Sequence, residues 1–322
     1  MTLPSAQPRS VIFLGTAHDN GGSSILAAEL AEAMRAHGHN VEEWYLFGSK
    51  ISNLSPQTRI FCPQPRTRSP LVLAKVLLQV LSELRARKPD TIFGLQSLSN
   101  LVVGLGGRLT GIRNRVATLH QRKDHHNRTL MVLDRAVGSL GFYTRIIACA
   151  ENVAETYFGH GEAYKSRLIA IVNGQKKPVM QPRHDARAKL GLPAEGLIVG
   201  QIGGFRPQKN QQFSVTLLRS LPDTHFHFLG SGPDEASIRA QVAATHLQER
   251  VHFVSALDHA HVGVFYSAVD AVLFPSLFEG LSLAAIEAIH AGVPLICSDI
   301  PSFRELFKDS AILTEALLVP LD

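Results

Sequence analysis

Two α/β domains, each built around a doubly wound parallel sheet, are what this sequence predicts, and three observations carry that reading. Short apolar, β-rich runs alternate with longer stretches of helical periodicity along the whole chain, which is the sequence form of repeated strand–helix–strand units. The 322 residues are about twice the usual size of one domain. The alternation also starts afresh after a proline-bearing stretch near the middle of the chain.

In chain order, the strand candidates of the first half are residues 10–14, 41–47, 91–95, 115–119 and 145–149, with helical patterns between them. Those of the second half are 197–202, 225–229, 251–254, 271–274 and 294–297. Between the halves, VNGQKKPVMQPRHDARAKLGLP holds Gly174, Pro178 and Pro182 and little periodic apolar content before a short helix near 186–190. The expected domains are therefore 1–173 and 190–322, with a linker over 174–189. No internal repeat and no low-complexity tract is present. Ligands of open parallel sheets bind beyond the carboxyl ends of the strands, so two such domains facing across a cleft would line it with strand-end loops.

Composition narrows the classes. A hydrophobic fraction of 45% with 18% charged residues is that of a compact globular chain and excludes long disordered or fibrous stretches. Net charge is +5 but uneven: residues 1–175 carry 20 Lys and Arg against 12 Asp and Glu, a balance of +8, and residues 176–322 carry 12 against 15, a balance of −3. Such asymmetry suits a first half that meets something anionic, or a set of solvated helix faces. Cys62, Cys149 and Cys297 are far apart and fit no metal-ligand spacing, so a reducing cytoplasm is expected. The opening MTLPSAQPRSVIFLG lacks a basic region before a long apolar core, and its VIFL run reads as a first buried strand instead of a secretion signal. The most lipid-like stretch, 71–84, is interrupted by Lys75, Gln79 and Glu83 and is too short to span a bilayer.

The richest segment is AVLFPSLFEGLSLAAIEAIHAGVPLICSDIPSFREL, residues 271–306. It reads as a buried strand, a turn over 275–280 and a helix with Leu283, Ile286 and Ile289 at helical spacing. Glu279 lies in the turn and Glu287 inside the helix, roughly 9 Å along the axis from its expected start at about 1.5 Å per residue. The helix N-terminus between the two carboxylates offers backbone N–H groups, around Gly280, Leu281, Ser282 and Leu283, that suit an anionic phosphate.

The Glu279-x7-Glu287 spacing, its context and the following IPSFREL resemble the signature of family 4 of the GT-B glycosyltransferases, the retaining group 1 enzymes. The resemblance implies two Rossmann-like domains, a nucleoside diphosphate sugar as co-substrate, no metal and no other cofactor. It places Glu279 at the donor sugar and Glu287 on the ribose hydroxyls. In IVGQIGGFRPQKNQQF, residues 198–213, it places the phosphate-binding cations. Lys209 matches the family's Lys. Many members carry the Arg where this chain has Gly204, while an FRPEK-like variant matches residues 205–209 and points to Arg206. Gly230 and Gly232 match a strand-end turn at the nucleotide pocket, though they could serve only to close the turn.

In the first half, LGTAHDNGGSSILAAELAEAMRAHGHNV resembles the family's first strand, glycine-rich loop and helix. Gly21 and Gly22 there permit close backbone approach of donor or acceptor. His120, ending the strand VATLH, matches a strand-end His near the donor sugar; His125 and His126 are given no role. Members of the family usually continue into further C-terminal helices, which a chain ending at Asp322 would lack. The resulting expectation is a retaining, metal-independent glycosyltransferase acting on a saccharide or lipid-linked acceptor in cell-envelope or exopolysaccharide assembly, with no nucleic-acid partner. It would be cytoplasmic, with the 71–84 helix and its flanking Arg66, Arg68, Arg85, Arg87 and Lys88 able to lie on an anionic membrane face. A nucleotide-sugar epimerase of related fold and a non-catalytic partner subunit are the alternatives.

Overall fold

A computed structural model describes residues 7–18, 21–48, 55–64, 69–125, 127–254, 262–308 and 316–320. Arg66, Arg68 and His126 lie outside them. The chain divides into two compact units, Met1–Val172 and Asn173–Asp322.

The first unit runs β1 (Ser10–His18), α1 (Gly22–Ala36), β2 (Asn40–Gly48), β3 (Thr58–Cys62), α2 (Pro70–Arg87), β4 (Thr91–Gly94), α3 (Ser97–Leu109), β5 (Asn114–Leu119), α4 (Arg128–Ser139), β6 (Arg145–Ala148), α5 (Glu151–Tyr157), α6 (Glu162–Lys165) and β7 (Leu168–Ala170). Its seven strands are parallel in the order β3-β2-β1-β4-β5-β6-β7. Successive side chains of a strand point to opposite faces, and β1 divides its apolar residues accordingly. Val11 and Phe13 pack with Ala27 and Ala31 of α1, whereas Ile12 and Leu14 pack with Val76, Val80 and Leu84 of α2 and Val103 of α3. Covering both faces explains why the central strands read as unbroken apolar runs.

The second unit runs α7 (Arg183–Leu190), β8 (Leu197–Ile202), α8 (Gln211–Leu218), β9 (Thr224–Leu229), α9 (Glu235–Ala244), β10 (Val251–Val254), α10 (Val262–Ala268), β11 (Ala271–Phe274), α11 (Leu283–Ala291), β12 (Leu295–Ser298), α12 (Pro301–Leu306) and β13 (Ala316–Val319). Its six strands are parallel in the order β10-β9-β8-β11-β12-β13. One face buries Ile198, Val272 and Phe274 against Phe265, Ala285, Ala288 and Phe303. The other buries Val199, Phe226, Phe228 and Leu273 against Val215, Leu218, Ile238 and Val242. Each Val, Leu, Ile or Phe side chain so taken from water contributes about 1.5–3 kcal/mol.

Both sheets therefore have the doubly wound order, with one reversal point each: β1/β4 in the first unit and β8/β11 in the second. Three edge strands, β3, β7 and β13, were not expected from the sequence. The stretch 174–189, expected as a linker, instead folds onto the second unit. The Gln181 N–H donates to Ser267 Oγ at 3.0 Å, and α7 begins at Arg183, three residues before the helical pattern suggests. Its Arg187 is buried, donating to Asp270 at 2.8 Å and to the Ala268 carbonyl at 3.0 Å. Asp270 in turn accepts the Ile198 N–H of β8 at 2.8 Å. A buried guanidinium needs such partners, and they fasten α7 to the sheet.

Candidate functional site

At the reversal point of a doubly wound sheet the loops after two adjacent strands diverge and leave a crevice. In the second unit these are the loops after β8 and β11. The β8 loop leaves the strand through Gly203, at φ +139°, a conformation reserved for glycine. A Cβ there would also stand 3.2 Å from Lys209 Cε, so the bare backbone makes room for the lysine stem. A 3₁₀ turn, Pro207–Lys209, and Asn210 in the left-handed region lead into α8. Two buried amides set this loop: Gln201 Nε2 donates to the Lys209 carbonyl at 2.7 Å and Gln211 Nε2 to the Gly204 carbonyl at 3.0 Å.

The β11 loop brings Glu279 to meet it. The carboxylate is only 6% exposed and is surrounded by donors, as a buried charge must be. Lys209 Nζ lies 2.6 Å from Oε1, Ser276 Oγ donates to the same oxygen at 2.8 Å, and Gln208 Nε2 donates to Oε2 at 3.0 Å. Gln208 also ties the two loops through backbone, its amide donating to the Phe278 carbonyl at 2.9 Å and its own carbonyl accepting the Leu277 N–H at 2.9 Å. Burial and then the Glu279 charge push the neighbouring Cys297 thiol far above its ordinary range, which leaves it an un-ionised packing group.

The helix after this loop starts later than the sequence pattern suggests. α11 begins at Leu283, and Ser282 caps it, its hydroxyl and carbonyl accepting from the Ala285 N–H at 3.4 and 3.1 Å. The N–H groups at the open end are thus those of Leu283 and Ala284, which take no acceptor among the described residues. Gly280, at a bend, and Leu281 precede the helix and its cap. Glu287 is accordingly about 6 Å along the axis from the first helical residue, not 9 Å. It is buried, and Tyr266 shares its hydroxyl proton between Glu287 Oε2 at 3.0 Å and the Ala284 carbonyl at 2.8 Å. Burial, and then the adjacent carboxylate, drive the Tyr266 phenol well above its ordinary value, so it acts only as a donor.

Arg206 is exposed at the outer end of the β8 loop, and its guanidinium has no ion-pair partner among the described residues. Gly230 and Gly232 are required by packing. A Cβ at Gly230 would fall 2.2 Å from the Gly203 carbonyl oxygen and one at Gly232 would fall 2.4 Å from that of Phe205. The β9 turn is thereby pressed against the β8 loop, and the glycines close the turn and shape the crevice at once.

In the first unit the reversal point lies between β1 and β4. α1 starts at Gly22 with Gly21 before it, at φ −76° and ψ 156°, angles open to any residue. Backbone conformation therefore does not demand glycine at Gly21; absence of a side chain is what it supplies. Gln96, which sequence reasoning missed, joins this region: its Oε1 accepts the Thr16 N–H at 2.5 Å and its Nε2 donates to Ser23 Oγ at 3.1 Å. His120 ends β5, with Nε2 2.9 Å from Thr118 Oγ1. The Thr118 hydroxyl proton goes to the Gly94 carbonyl at 2.6 Å, so Nε2 is the nitrogen that carries hydrogen. Asn100 of α3 locks the same strand end by exchanging two hydrogen bonds with the Thr118 backbone, at 2.9 and 3.2 Å.

Among the expected residues, then, Lys209 and Glu279 are brought into contact, Ser282 and Leu283 form the helix start beside them, and Arg206 stands outside. Gln208 and Tyr266 join the site unannounced, because each acts on a carboxylate remote in sequence, and Ser276 joins it from within the Glu279 loop itself.

Comparison with known proteins decides the family. A model described as Glycosyl transferases group 1 matches residues 182–320, and one described as Glycosyltransferase Family 4 matches residues 20–174. The chain belongs to the group 1 glycosyl transferases. This agrees with the resemblance carried by Glu279 and Glu287. Among relatives of this group 1 chain, the O-antigen biosynthesis glycosyltransferase WclY of Escherichia coli is 27% identical over 171 residues, covering 53% of the chain and 48% of the relative. The lipopolysaccharide core biosynthesis mannosyltransferase LpsB of Rhizobium meliloti (strain 1021) is 32% identical over 148 residues, covering 42% of each. The chain spans about half the length of the curated relatives it matches. Anabaena HepE, solved in complex with UDP and glucose, superposes with a TM-score of 0.81 at 18% identity, covering 97% of this chain and 86% of that one. A sucrose-phosphate synthase from Thermosynechococcus elongatus superposes with 0.79 at 24% identity, covering 98% and 86%. At these identities the structures establish the fold, which is the two-domain Rossmann-like GT-B fold of the group 1 glycosyl transferases.

Proposed function

We propose that this chain transfers a sugar from a nucleoside diphosphate sugar to a hydroxyl of a saccharide or lipid-linked acceptor, with retention at the anomeric carbon, in cell-envelope or exopolysaccharide assembly. The observation that carries the reading is the Lys209–Glu279 pair at the reversal point of the second sheet. The names of the E. coli and Rhizobium relatives, and the UDP and glucose of the Anabaena structure, support the substrate class.

In this reading the bond from the anomeric carbon to the diphosphate breaks as the bond to the acceptor oxygen forms, negative charge collects on the departing diphosphate, and the acceptor hydroxyl's proton leaves to a phosphate oxygen of that diphosphate. Lys209, the N–H groups of Leu283 and Ala284 and the exposed Arg206 are assigned to that charge, an electrostatic role needing no metal. Glu279 is assigned to the sugar hydroxyls and Glu287 to the ribose. The strand-end groups of the first unit, with Gly21, Gly22 and His120, are assigned to sugar and acceptor.

The test is incubation of the chain with a panel of nucleotide sugars and envelope-type acceptors in the presence of EDTA. Acceptor-dependent release of nucleoside diphosphate, with a product anomer matching the donor by NMR, is expected. An inverted anomer would remove the stereochemical assignment. An isomerised nucleotide sugar formed without acceptor would make the chain an epimerase, and a strict metal requirement would contradict the electrostatics proposed for Lys209.

A further inference from the structure

The first unit carries a surface that holds none of the residues assigned to sugar transfer. α3 is wedged between α2 and α4: a Cβ at Gly106 would lie 2.9 Å from Leu81 of α2, and one at Gly104 would lie 2.6 Å from Val137 of α4. Gly107 faces the sheet, where a Cβ would stand 3.0 Å from the Arg115 stem. With neighbours on both flanks and the sheet beneath, Leu105, Arg108 and Leu109 point outward and are exposed. On α2 the outward stripe is Leu71, Lys75, Leu78, Ser82 and Arg85, at helical spacing and all exposed, with Leu71 82% accessible. α4 adds Val132 and Leu140, the latter 73% accessible. The apolar residues at 73, 76, 77, 80, 81 and 84, also at helical spacing, face the core.

Charge on the three helices is one-sided. Lys75, Arg85, Arg108, Arg128 and Arg135 have no salt-bridge partner among the described residues. The acids of these helices are two. Glu83 is taken by Arg59 and Arg87 at 2.8 and 3.2 Å, and Asp134 is buried beneath the hydroxyls of Tyr143 and Tyr164 at 2.9 and 2.7 Å. Large apolar side chains held in water next to unpaired cations, with no exposed acid among them, match one environment: an interface with acyl chains at its surface and negative charge above them.

We propose that the outward face of α2, α3 and α4 docks on an anionic lipid bilayer surface without crossing it. No described helix is long and apolar enough to cross a membrane, and docking requires none. A second copy of this chain is disfavoured because the face would meet its own charge. Nucleic acid would engage the cations and leave the leucines wet.

Co-sedimentation of the full chain with vesicles tests this. The chain is expected to pellet at low salt with phosphatidylcholine vesicles containing phosphatidylglycerol and to stay in solution with phosphatidylcholine alone. The combined Arg85→Gln, Arg108→Gln, Arg135→Gln variant should lose roughly a hundredfold in partitioning, as expected for three cations removed from a charged surface. Leu78→Gln with Leu109→Gln should lose about tenfold with unchanged circular dichroism and Tm, because both side chains are already in water. Arg219→Gln, exposed on the second unit, should bind as the parent does. Failure of the parent to pellet with anionic vesicles, or equal binding by the variants, overturns the proposal. Dimerisation without vesicles that the same variants abolish would assign the face to a second copy and overturn it too. None of these outcomes depends on sugar transfer, so the proposal and the assigned reaction fail separately.

Discussion

The Lys209 ammonium is held by a carboxylate at the place where a diphosphate would need it, 2.6 Å from Glu279. A bound diphosphate would have to displace that contact or share it, so the two residues act against one another in binding and together in turnover. Glu279→Gln is therefore expected to cut turnover by about a hundredfold or more, as for loss of a group placed at developing charge, while nucleoside diphosphate binds as tightly as before or more tightly. Calorimetric titration checks this, and clearly weaker binding would show that Glu279 supports the lysine instead of competing for it. Lys209→Ala should weaken nucleoside diphosphate by roughly tenfold or more relative to the nucleoside, the scale of one charge-assisted hydrogen bond. At this scale the sequence was legible where one motif holds the residue, as for Glu279, Glu287 and Lys209. It was silent on Gln208, Tyr266 and Gln96, whose partners lie on other elements: Gln208 reaches Glu279 across 71 positions. Ser276 lies inside the motif, three residues from Glu279, but a serine hydroxyl there carries no signal of its own. Arg206 stayed ambiguous for a related reason, since a loop cation acquires a role only from what it faces.

Elements divide along a physical line. The inner strands β1, β4, β5, β8 and β11, covered on both faces, were readable as apolar runs, whereas β3, β7 and β13, all terminal in their sheets, were not. An edge strand is partly wet, so its side chains need not be uniformly apolar; β7 is Leu-Ile-Ala with its central Ile169 exposed. Helix α11 was legible in kind but not in start, because the serine cap at Ser282 is local chemistry that the apolar period does not encode. On β9, the alternation of the strand puts His227 on the face covered by α10, completely buried and 5.3 Å from the Phe265 ring centre. Burial first, and then His252, hold its pKa down to about 4 from an ordinary 6.5. Between those values the unfolded chain binds a proton that the folded chain refuses. Stability is thus complete above 6.5 and falls as pH drops from 6.5 towards 4, by up to ~3 kcal/mol. His225 and His252 shift in the same direction, each chiefly through burial. Urea midpoints of the second unit at pH 7.5, 6 and 5 should therefore decline, and less steeply in His227→Phe; an equal decline would place the acid-labile group elsewhere.

For the whole chain, two units with separate cores and the same strand logic make a prediction about which of them a nucleotide stabilises. The groups assigned to the nucleoside diphosphate, Lys209, Arg206, the start of α11 and Glu287, all belong to Asn173–Asp322. A ligand present at a hundred times its Kd adds about 2.7 kcal/mol to whatever unfolds with its site. For a unit of this size that is a rise on the order of 5–10 °C in Tm. Scanning calorimetry with a saturating nucleoside diphosphate and no acceptor should accordingly move the transition of the second unit by that amount. Hydrogen exchange should slow over residues 201–213 and 276–290, the two loops that meet at Glu279 and the helices that follow them. Because those loops are joined at Gln208, Lys209 and Glu279 by three side-chain hydrogen bonds and one backbone one among the described residues, closing them on a ligand is expected to protect both segments together. Protection of one loop without the other would separate Lys209 from Glu279 in the bound state. Protection confined to residues 15–24 and 94–120 would move the nucleotide to the reversal point of the first sheet, where Gln96 and His120 lie, and would exchange the roles given to the two units.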